Sequence, residues 1–387
     1  EFIEVLPQYI RVTSGASATH SRRDSLPYLK LDKVIECSKG ALPFVDALSR
    51  FWGYRLPKTK ILGVNRVEFV PKNWKTYRSI ACEPRGNLPL QLSVDAFVKE
   101  RLRELTSIDL SDQSKNQRLA KDGSIRGNFA TIDLSAASDT ISSSTVQGIL
   151  PPDCFDVLNA IRSTHFIDPI DGMLRKYEKF SSMGNGSTFV IETLIFVAVC
   201  EGLSIKKYSV YGDDIVIPTR YYDQLVKVLN YLGFSINKDK SYHAGPFRES
   251  CGCDYFEGTD VTPFYLRFWK KGRSALHHNL NNLAQISLPD GKLWDFLLSF
   301  VDDKSLLVPF NNDSVSGLWI DVHSAYHAKV LRYHKPTHTT RYKALVSKAK
   351  HKSCRDSRAL FLWFLQKNYF KRRPDDTVEV TRMPTLR

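Results

Sequence analysis

The sequence predicts an α+β fold, because segments typical of strands and of helices both occur and two of the strands are joined by a tight turn. The β-rich runs Tyr208–Tyr211 and Ile215–Ile217 flank Gly212-Asp213-Asp214, which indicates an antiparallel hairpin. Phe129–Leu134 is typical of a short buried strand. The run Thr188–Cys200 is apolar on nearly all sides and predicts a buried helix. We therefore expect an antiparallel sheet with helices packed behind it.

The other elements follow from local patterns. Residues 1 to about 60 suggest mixed helix and loop, and Val64–Val70 is strand-like up to Pro71. Apolar residues recur at helical spacing from Leu90 to Leu105. The later elements are short: a helix that begins near Asp139, a helix at Tyr221–Leu232 that ends at Gly233, and a strand at Phe234–Asn237.

Composition narrows the class of protein. Of the 387 residues, 42% are hydrophobic and 25% are charged, which is ordinary for a globular chain and excludes disorder of the whole. Lys and Arg outnumber Asp and Glu by 55 to 41, and the net charge of +14 favours a polyanionic partner, either nucleic acid or an anionic membrane surface. No apolar run is long enough to predict a membrane span. The seven scattered cysteines suggest reduced thiols of a cytosolic protein.

The strongest chemical signal is the pair Asp213 and Asp214 at the hairpin tip. Adjacent carboxylates repel, so the pKa of one should rise unless a cation lies between them. Mg²⁺ prefers such oxygen ligands, and Mn²⁺ is an alternative. Asp133, at the end of the buried strand, adds a third carboxylate, although such a residue can also cap a helix. Three carboxylates could hold two metal ions about 3.5–4 Å apart for nucleotidyl transfer, where one ion activates the attacking hydroxyl and the other stabilises the leaving pyrophosphate. The alternative for the pair alone is a solvated Gly-Asp turn.

Cations that could meet a triphosphate lie in two places. Lys72, Lys75 and Arg78 follow the strand that ends near Pro71, and an arginine there can bind phosphate through two parallel hydrogen bonds. A solvated basic surface is the alternative. Lys238 and Lys240, after the last predicted strand, are candidates for the general acid that protonates pyrophosphate.

Taken together, these motifs resemble those of RNA-directed RNA polymerases, in the order F-A-B-C-D-E, and the resemblance runs from about Thr13 to Arg267. Two further blocks are typical of the replicases of positive-strand RNA bacteriophages, the leviviruses. The matching segments are Pro71–Arg78 for motif F, Ala130–Asp139 for motif A, Ser182–Gly186 for motif B, Tyr211–Asp214 for motif C, Gly233–Lys240 for motif D, and the phage blocks Gly245–Gly252 and Asp260–Tyr265.

The resemblance implies a right-hand polymerase fold of fingers, palm and thumb, with an antiparallel palm sheet backed by helices. Residues 1–128 would form fingers and an N-terminal region that includes motif F, residues 129–267 the palm with motifs A to E and inserted finger elements, and residues 268–387 a basic helical thumb. Family members have a longer N-terminal region, so we expect part of the fingers to be missing here. The segment Lys329–Arg358 holds ten Lys and Arg and one acidic residue, and would be a thumb or template-exit surface.

The resemblance also implies roles for individual residues. The second aspartate of motif A stands six positions after Asp133, with Ser138 at the five-residue position that many polymerases use, so the residue that reads the ribose stays open. The implied roles are metal binding by Asp133, Asp213 and Asp214; general acid catalysis by Lys240; the nucleotide entry path by Lys72, Lys75 and Arg78; the pocket around ribose and template by Ser182, Gly184 and Asn185; and recognition of the 2′-hydroxyl by Asp139.

The function this implies is primer-independent, RNA-directed synthesis of RNA that replicates a phage genome, with two Mg²⁺ ions. The implied partners are RNA template and product, rNTPs, host translation elongation factors and a ribosomal protein, in the bacterial cytoplasm and without a membrane. A reverse transcriptase is one alternative, but Gly212 and the small Ala136 and Ala137 favour ribonucleotides. A catalytically inactive, polymerase-derived RNA-binding protein is another.

Overall fold

The computed structural model describes residues 6–21, 27–31, 34–52, 58–72, 75–266, 272–286, 292–301, 306–310, 316–345 and 357–368. It divides into two compact units, Glu1–Val261 with Cys354–Arg387, and Thr262–Ser353. The domain boundaries predicted at residues 128 and 267 stay predictions. Within the described residues, no helix has the length and hydropathy to span a bilayer.

The chain alternates short strands with helices, so the prediction of a mixed α+β fold is confirmed. The helices are α1 Leu42–Trp52, α2 Asn87–Leu105, α3 Ser114–Arg126, α4 Ala137–Thr140, α5 Ser143–Ile149, α6 Pro152–Ala160, α7 Thr188–Gly202, α8 Tyr222–Tyr231, α9 Arg273–Ile286, α10 Lys292–Leu298, α11 Val322–His327 and α12 Ser357–Asn368. The strands are β1 Val34–Cys37, β2 Lys58–Ile61, β3 Val64–Pro71, β4 Tyr77–Cys82, β5 Phe129–Ile132, β6 Leu134–Ser135, β7 His165–Ile167, β8 Leu174–Lys176, β9 Ser209–Tyr211, β10 Asp214–Pro218, β11 Ser235–Ile236, β12 Phe247–Ser250, β13 Cys253–Phe256, β14 Thr259–Asp260, β15 Leu307–Pro309, β16 Leu318–Ile320, β17 Arg332–His334 and β18 Thr339–Arg341.

A three-stranded antiparallel sheet lies at the centre of the first unit, in the order β5-β10-β9. All four residues of β5 are buried, because α3 covers this part of the sheet and the main core covers the other side. Helix α7 contacts β9, α2 and α8, which explains why its sequence is apolar on all sides rather than on one stripe. The predicted hairpin and buried helix are therefore both confirmed.

A second, four-stranded sheet has the order β4-β3-β7-β8 and mixes antiparallel and parallel pairs. The long strands β3 and β4 form a hairpin whose tip contains the predicted basic loop, and Pro71 is the last residue of β3, as predicted. The first 60 residues differ from the prediction of helix and loop, because β1 and β2 form a parallel pair there. The β-branched and buried residues of Val34–Cys37 fit a strand better than a loop.

The second unit has its own small core, in which Leu280 and Leu283 of α9 pack with Leu297 of α10. It also contains the parallel pair β15–β16 and the antiparallel pair β17–β18. Part of the predicted basic segment Lys329–Arg358 lies outside the described residues.

Candidate active site

Strand pairing brings the three predicted aspartates to one place. Ile132 of β5 lies opposite Ile215 of β10, so Asp133 and Asp214, the neighbours of this pair, lie at the same end of the sheet. Asp213 lies in the turn between β9 and β10, where Asp214 pairs with Tyr211. We refer to Asp133, Asp213 and Asp214 as the carboxylate cluster.

The tight turn depends on glycine at position 212. Gly212 has a φ of +60°, and its N–H donates to Oγ1 of Thr193 on α7 at 3.1 Å. A Cβ at this position would lie 2.5 Å from the Phe189 ring. Glycine therefore satisfies both the turn conformation and the close approach of α7 to the hairpin.

Asp133 lies where the chain passes from one sheet to another. The predicted strand Phe129–Leu134 is in fact two strands, because β5 pairs with β10 whereas β6 pairs with β11. The Asn237 side chain donates to Oδ2 of Asp133 at 2.7 Å, and the Asp133 N–H donates to Oγ of Ser241 at 3.1 Å. The Asn237 bond orients the Asp133 carboxylate from the segment that resembles motif D, and the Ser241 bond fixes the Asp133 backbone.

Burial and mutual repulsion raise the pKa of two members of the cluster. Burial raises the pKa of Asp214 to about 6, with help from the charges of Asp213 and Asp133, while the Cys251 N–H opposes the shift. Burial also raises the pKa of Asp133, where the Asn237 hydrogen bond opposes the charge of Asp213. The cluster thus holds more negative charge than its surroundings neutralise.

The donor set of this cluster fits a hard divalent cation, since it consists of carboxylate oxygens and burial disfavours the ionisation of two of these groups, Asp133 and Asp214. In the part of the chain that the structure describes, no three His, Cys, Asp or Glu side chains are arranged around a single metal position. The three carboxylates are therefore electrostatic neighbours rather than a closed ligand cage.

Two further acids near the cluster were not predicted from the sequence. Burial and the charge of Asp214 raise the pKa of Glu249, on β12, to about 7. Burial and the charges of Asp213 and Asp139 raise the pKa of Glu192, on α7, to about 8. Glu192 carried a usable signal, because it is the one acid within the largely apolar run Thr188–Cys200.

Lys240 lies close enough to Asp133, Glu249 and Asp254 to interact with all three acids electrostatically. Its positive charge opposes the rise in their pKa values that burial causes. The backbone N–H of Lys240 donates to the Asn237 carbonyl at 3.1 Å. The choice between Lys238 and Lys240 as the general acid stays a prediction.

Residues 181–187, the 181–187 loop, contain Ser182, Gly184 and Asn185 in a rigid arrangement. The Ala81 N–H on β4 donates to the Met183 carbonyl at 2.7 Å. Gly184 has a φ of +103°, and a Cβ there would lie 2.3 Å from the Ala81 carbonyl oxygen, so another residue would force the loop off the strand. The Asn185 side chain accepts from the N–H and Oγ of Ser187, both at 2.9 Å.

The other predicted site residues lie beside this loop rather than in the cluster. Lys72, Lys75 and Arg78 are exposed at the tip of the β3–β4 hairpin, the basic hairpin, whose strand β4 binds the 181–187 loop. The Asp139 carboxylate forms an ion pair with Nζ of Lys179 at 2.5 Å. The predicted residues thus fall into two neighbouring groups.

An antiparallel hairpin with paired aspartates, a third aspartate on the adjoining strand and a glycine-containing loop are the features expected of the polymerase class. The profile of the family described as RNA replicase, beta-chain, matches residues 2–298. The chain therefore belongs to the RNA replicase beta-chain family.

Individual relatives agree with this assignment. The RNA-directed RNA polymerase subunit beta of Qbeta virus (strain MX1) is 44% identical over 298 residues, which cover 76% of this chain and 50% of the relative. The protein of the same name from Enterobacteria phage SP is 44% identical over 310 residues, 78% of this chain and 53% of the relative. The chain thus spans about half the length of these relatives. Among solved structures, the BmCPV RNA-dependent RNA polymerase at elongation state superposes on 57% of this chain and on 24% of the polymerase chain. The sequence identity is 14% and the TM-score is 0.42.

Proposed function

We propose that this chain catalyses RNA-directed synthesis of RNA as part of a levivirus-type replicase. The observation that carries the proposal is the half-buried carboxylate cluster, whose excess negative charge lies on one antiparallel sheet in a chain of the RNA replicase beta-chain family. In a right-hand polymerase, the β5-β10-β9 sheet would be the palm, and the second unit would belong to the thumb.

Asp133, Asp213 and Asp214 would hold two Mg²⁺ ions, or Mn²⁺ in their place. When bound, the ions supply charge stabilisation to the attacking and leaving oxygens of the phosphoryl group. The chain itself orients the ligands, because Asn237 fixes Asp133 and the Cys251 N–H fixes Asp214. The bound cations would also return the raised pKa of Asp214 towards its ordinary value.

Lys240 would act as the general acid. It lies close enough to Asp133 and Glu249 to interact with both acids electrostatically, and it can give a proton to the pyrophosphate oxygen as the P–O bond breaks. Its place after β11 puts it on the same segment as Asn237, which holds Asp133.

The second group of residues would bind the nucleotide. Lys72, Lys75 and Arg78 on the basic hairpin would neutralise the incoming triphosphate, and Ser182, Gly184 and Asn185 would form the wall of the ribose and template pocket. Asp139 would meet the ribose 2′-hydroxyl, and its ion pair with Lys179 fixes the direction of its carboxylate. The partners would be the RNA template and product and the rNTPs.

The subunit names of the relatives support a multi-subunit complex, with host translation elongation factors and a ribosomal protein as candidate components, in the bacterial cytoplasm. Initiation would need no primer.

The direct test is incorporation of labelled rNTPs on an RNA template that ends in cytidine, with Mg²⁺ and no primer, beside an Asp213→Asn control. We expect product from the unsubstituted chain alone, or from that chain after a host extract is added. Synthesis that persists in the variant would exclude the proposed site.

Two other functions would give different results in the same assay. A reverse transcriptase would incorporate dNTPs at least as well as rNTPs, whereas the proposed enzyme prefers rNTPs. An inactive RNA-binding protein would bind RNA but make no product, with or without host extract.

A further inference from the structure

We propose that Glu83 is a positioning residue that holds the 181–187 loop in its nucleotide-binding conformation. Glu83 follows β4 and belongs to none of the motifs that the sequence singled out. The inference rests on the proposed function, because it assigns to this loop the nucleotide pocket described above.

Glu83 is almost completely buried, and donors surround its carboxylate. Oε1 accepts from the Asn65 side chain at 3.2 Å, and Oε2 accepts from the N–H and Oγ of Ser163 at 3.2 and 2.9 Å. Gln91 donates a further hydrogen bond, and the Arg162 cation lies close enough to interact with the carboxylate. Separate segments of the chain thus meet at one carboxylate.

One route runs from Glu83 to Ser182. Asn65 donates to Glu83 through its amide nitrogen and accepts from the Tyr177 hydroxyl, through its amide oxygen, at 2.8 Å. The Tyr177 hydroxyl in turn interacts with the Ser182 side chain. The Tyr177 ring stacks on Phe166 with a centroid separation of 4.5 Å, so the hydroxyl has little freedom to move. Because the Glu83 carboxylate only accepts, the amide nitrogen of Asn65 turns towards Glu83 and its amide oxygen is left to accept from Tyr177.

Two further routes end at the same loop. Gln91, which hydrogen-bonds Glu83, accepts from the Gly186 N–H at 3.0 Å and is completely buried on α2. Arg162 donates to the carbonyl of Phe180, immediately before the loop, at 3.0 Å. Glu83 is thus connected to both ends of the 181–187 loop.

Burial raises the pKa of Glu83, but the hydrogen bonds from Asn65 and Ser163 oppose this rise, so the surrounding donors favour a carboxylate over an amide. A carboxylate can accept from Asn65, Ser163 and Gln91 at once, whereas a glutamine at position 83 places an NH₂ group against the donor of either Asn65 or Ser163. A buried donor left without an acceptor is costly, so the loop should shift to find another partner.

The test compares Glu83→Gln with the unsubstituted chain in two measurements. The first is amide hydrogen exchange of residues 181–187, for which we expect exchange about tenfold faster in the variant, the change typical of losing one hydrogen bond to a charged group. The second is steady-state rNTP incorporation, for which we expect KM for the rNTP to rise about tenfold while kcat changes less than about threefold, since the loop binds substrate and leaves the metal site intact. Tyr177→Phe should give a smaller shift in the same direction.

A polarity swap provides the rescue. In the Glu83→Gln, Asn65→Asp double variant, the carboxylate introduced at position 65 can accept from both the Tyr177 hydroxyl and the new amide, so loop exchange and KM should return to within about threefold of the original values. Asn65→Asp alone places two carboxylates face to face, so it should accelerate loop exchange and raise KM more than Glu83→Gln or the double variant does.

Two controls accompany these variants. Glu201→Gln removes a carboxylate that accepts from Tyr208 at 2.6 Å. Leu229→Ala weakens the core at α8, away from the loop.

The outcomes separate this inference from the proposed function. If the unsubstituted chain makes no RNA with or without host extract, the proposed function fails, but loop exchange in the variants still decides the role of Glu83. Unchanged loop exchange in Glu83→Gln, or equal acceleration in Leu229→Ala, would overturn the inference, as would a double variant that shows no rescue.

Discussion

Two carboxylate sites in the first unit, one buried and one half-buried, differ in how their negative charge is balanced. Glu36 lies against Arg85, whose Nε and Nη2 donate to its two oxygens at 2.6 and 2.7 Å. Burial raises the pKa of Glu36, but these hydrogen bonds and the Arg85 charge outweigh it, so the pKa lies below its ordinary value. In the carboxylate cluster, burial and like charges together raise the pKa of Asp214 to about 6.

The difference shows how the same group can serve structure or function. The fold supplies the cation for Glu36 from within, and the pair is complete without any ligand. Around Asp214 the fold supplies more acids, Asp213 and Asp133, and the Lys240 charge that acts on Asp133 does not prevent the rise in the pKa of either Asp133 or Asp214. The raised pKa of Asp214, which like charges increase further, supports the proposal that a divalent ion binds at the cluster.

The largest effect should follow from Asp213→Asn, which removes one carboxylate from the cluster. We expect RNA synthesis to be abolished while the fold and RNA binding change little, because the change is confined to the proposed metal site. Primer-free incorporation and gel-shift assays check this result, with Asp153→Asn, at an exposed carboxylate of α6, as the matched control. Substantial residual synthesis would remove Asp213 from the catalytic role.

The second largest effect on RNA synthesis should follow from Lys240→Leu, which removes the proposed general acid. Loss of a general acid typically slows the chemical step by roughly 10²–10⁴-fold, so single-turnover incorporation should fall by that factor. Lys238→Leu is the matched control and should have little effect. An equal rate in Lys240→Leu and the original chain would point to Lys238 or to water as the proton donor.

Arg85→Met should remove the ion pair between Arg85 and Glu36. It leaves the Glu36 carboxylate buried without its cation, which should lower the free energy of unfolding by about 3–5 kcal/mol. Urea unfolding measures the change. A loss below about 1 kcal/mol, the range of an exposed ion pair, would mean that water already neutralises Glu36, and the comparison between the two sites would fail.

The free energy of unfolding of the metal-free protein should fall as pH rises, because Asp214 of the carboxylate cluster and the neighbouring Glu249 have raised pKa values. Asp214 and Glu249, with pKa values of about 6 and 7, lie above their ordinary values, so their protonated forms favour the folded state at acid pH. That contribution is lost as pH rises through both pKa values, and the metal-free protein should lose about 1–3 kcal/mol of unfolding free energy between about pH 5 and 8. In Asp214→Asn the loss should be smaller, and at alkaline pH this variant should be more stable than the original chain. A steeper loss in the variant would contradict the account.

Much of the cluster was predictable because its three aspartates lie in segments with strong local patterns. Gly212 and the β-rich runs beside it define the hairpin, and Phe129–Ile132 is a β-rich, largely apolar run. The break after Ile132 was not predictable, since it depends on a pairing between β6 and β11, which lie far apart in the sequence. Helix ends differed by a few residues, as α2 begins at Asn87 rather than Leu90.

The supporting residues were harder to predict because their roles arise from tertiary contact. Asn237 and Glu249 are ordinary polar residues in sequence, and only the folded chain brings them to Asp133 and Asp214. Glu83 is similar, since its partners come from distant segments. Local patterns specify elements, whereas the charge environment of a site depends on which elements meet.

The most direct test of the central claim is the stability of the protein as a function of Mg²⁺ concentration at mildly alkaline pH. If the carboxylate cluster lacks an internal cation, Mg²⁺ should raise the free energy of unfolding by about 1.4 kcal/mol when it is about tenfold above its Kd. The effect should shrink at mildly acid pH, where the acids bind protons, and should be lost in Asp213→Asn. An identical Mg²⁺ response in the variant and the original chain would contradict the claim that this cluster is the metal site.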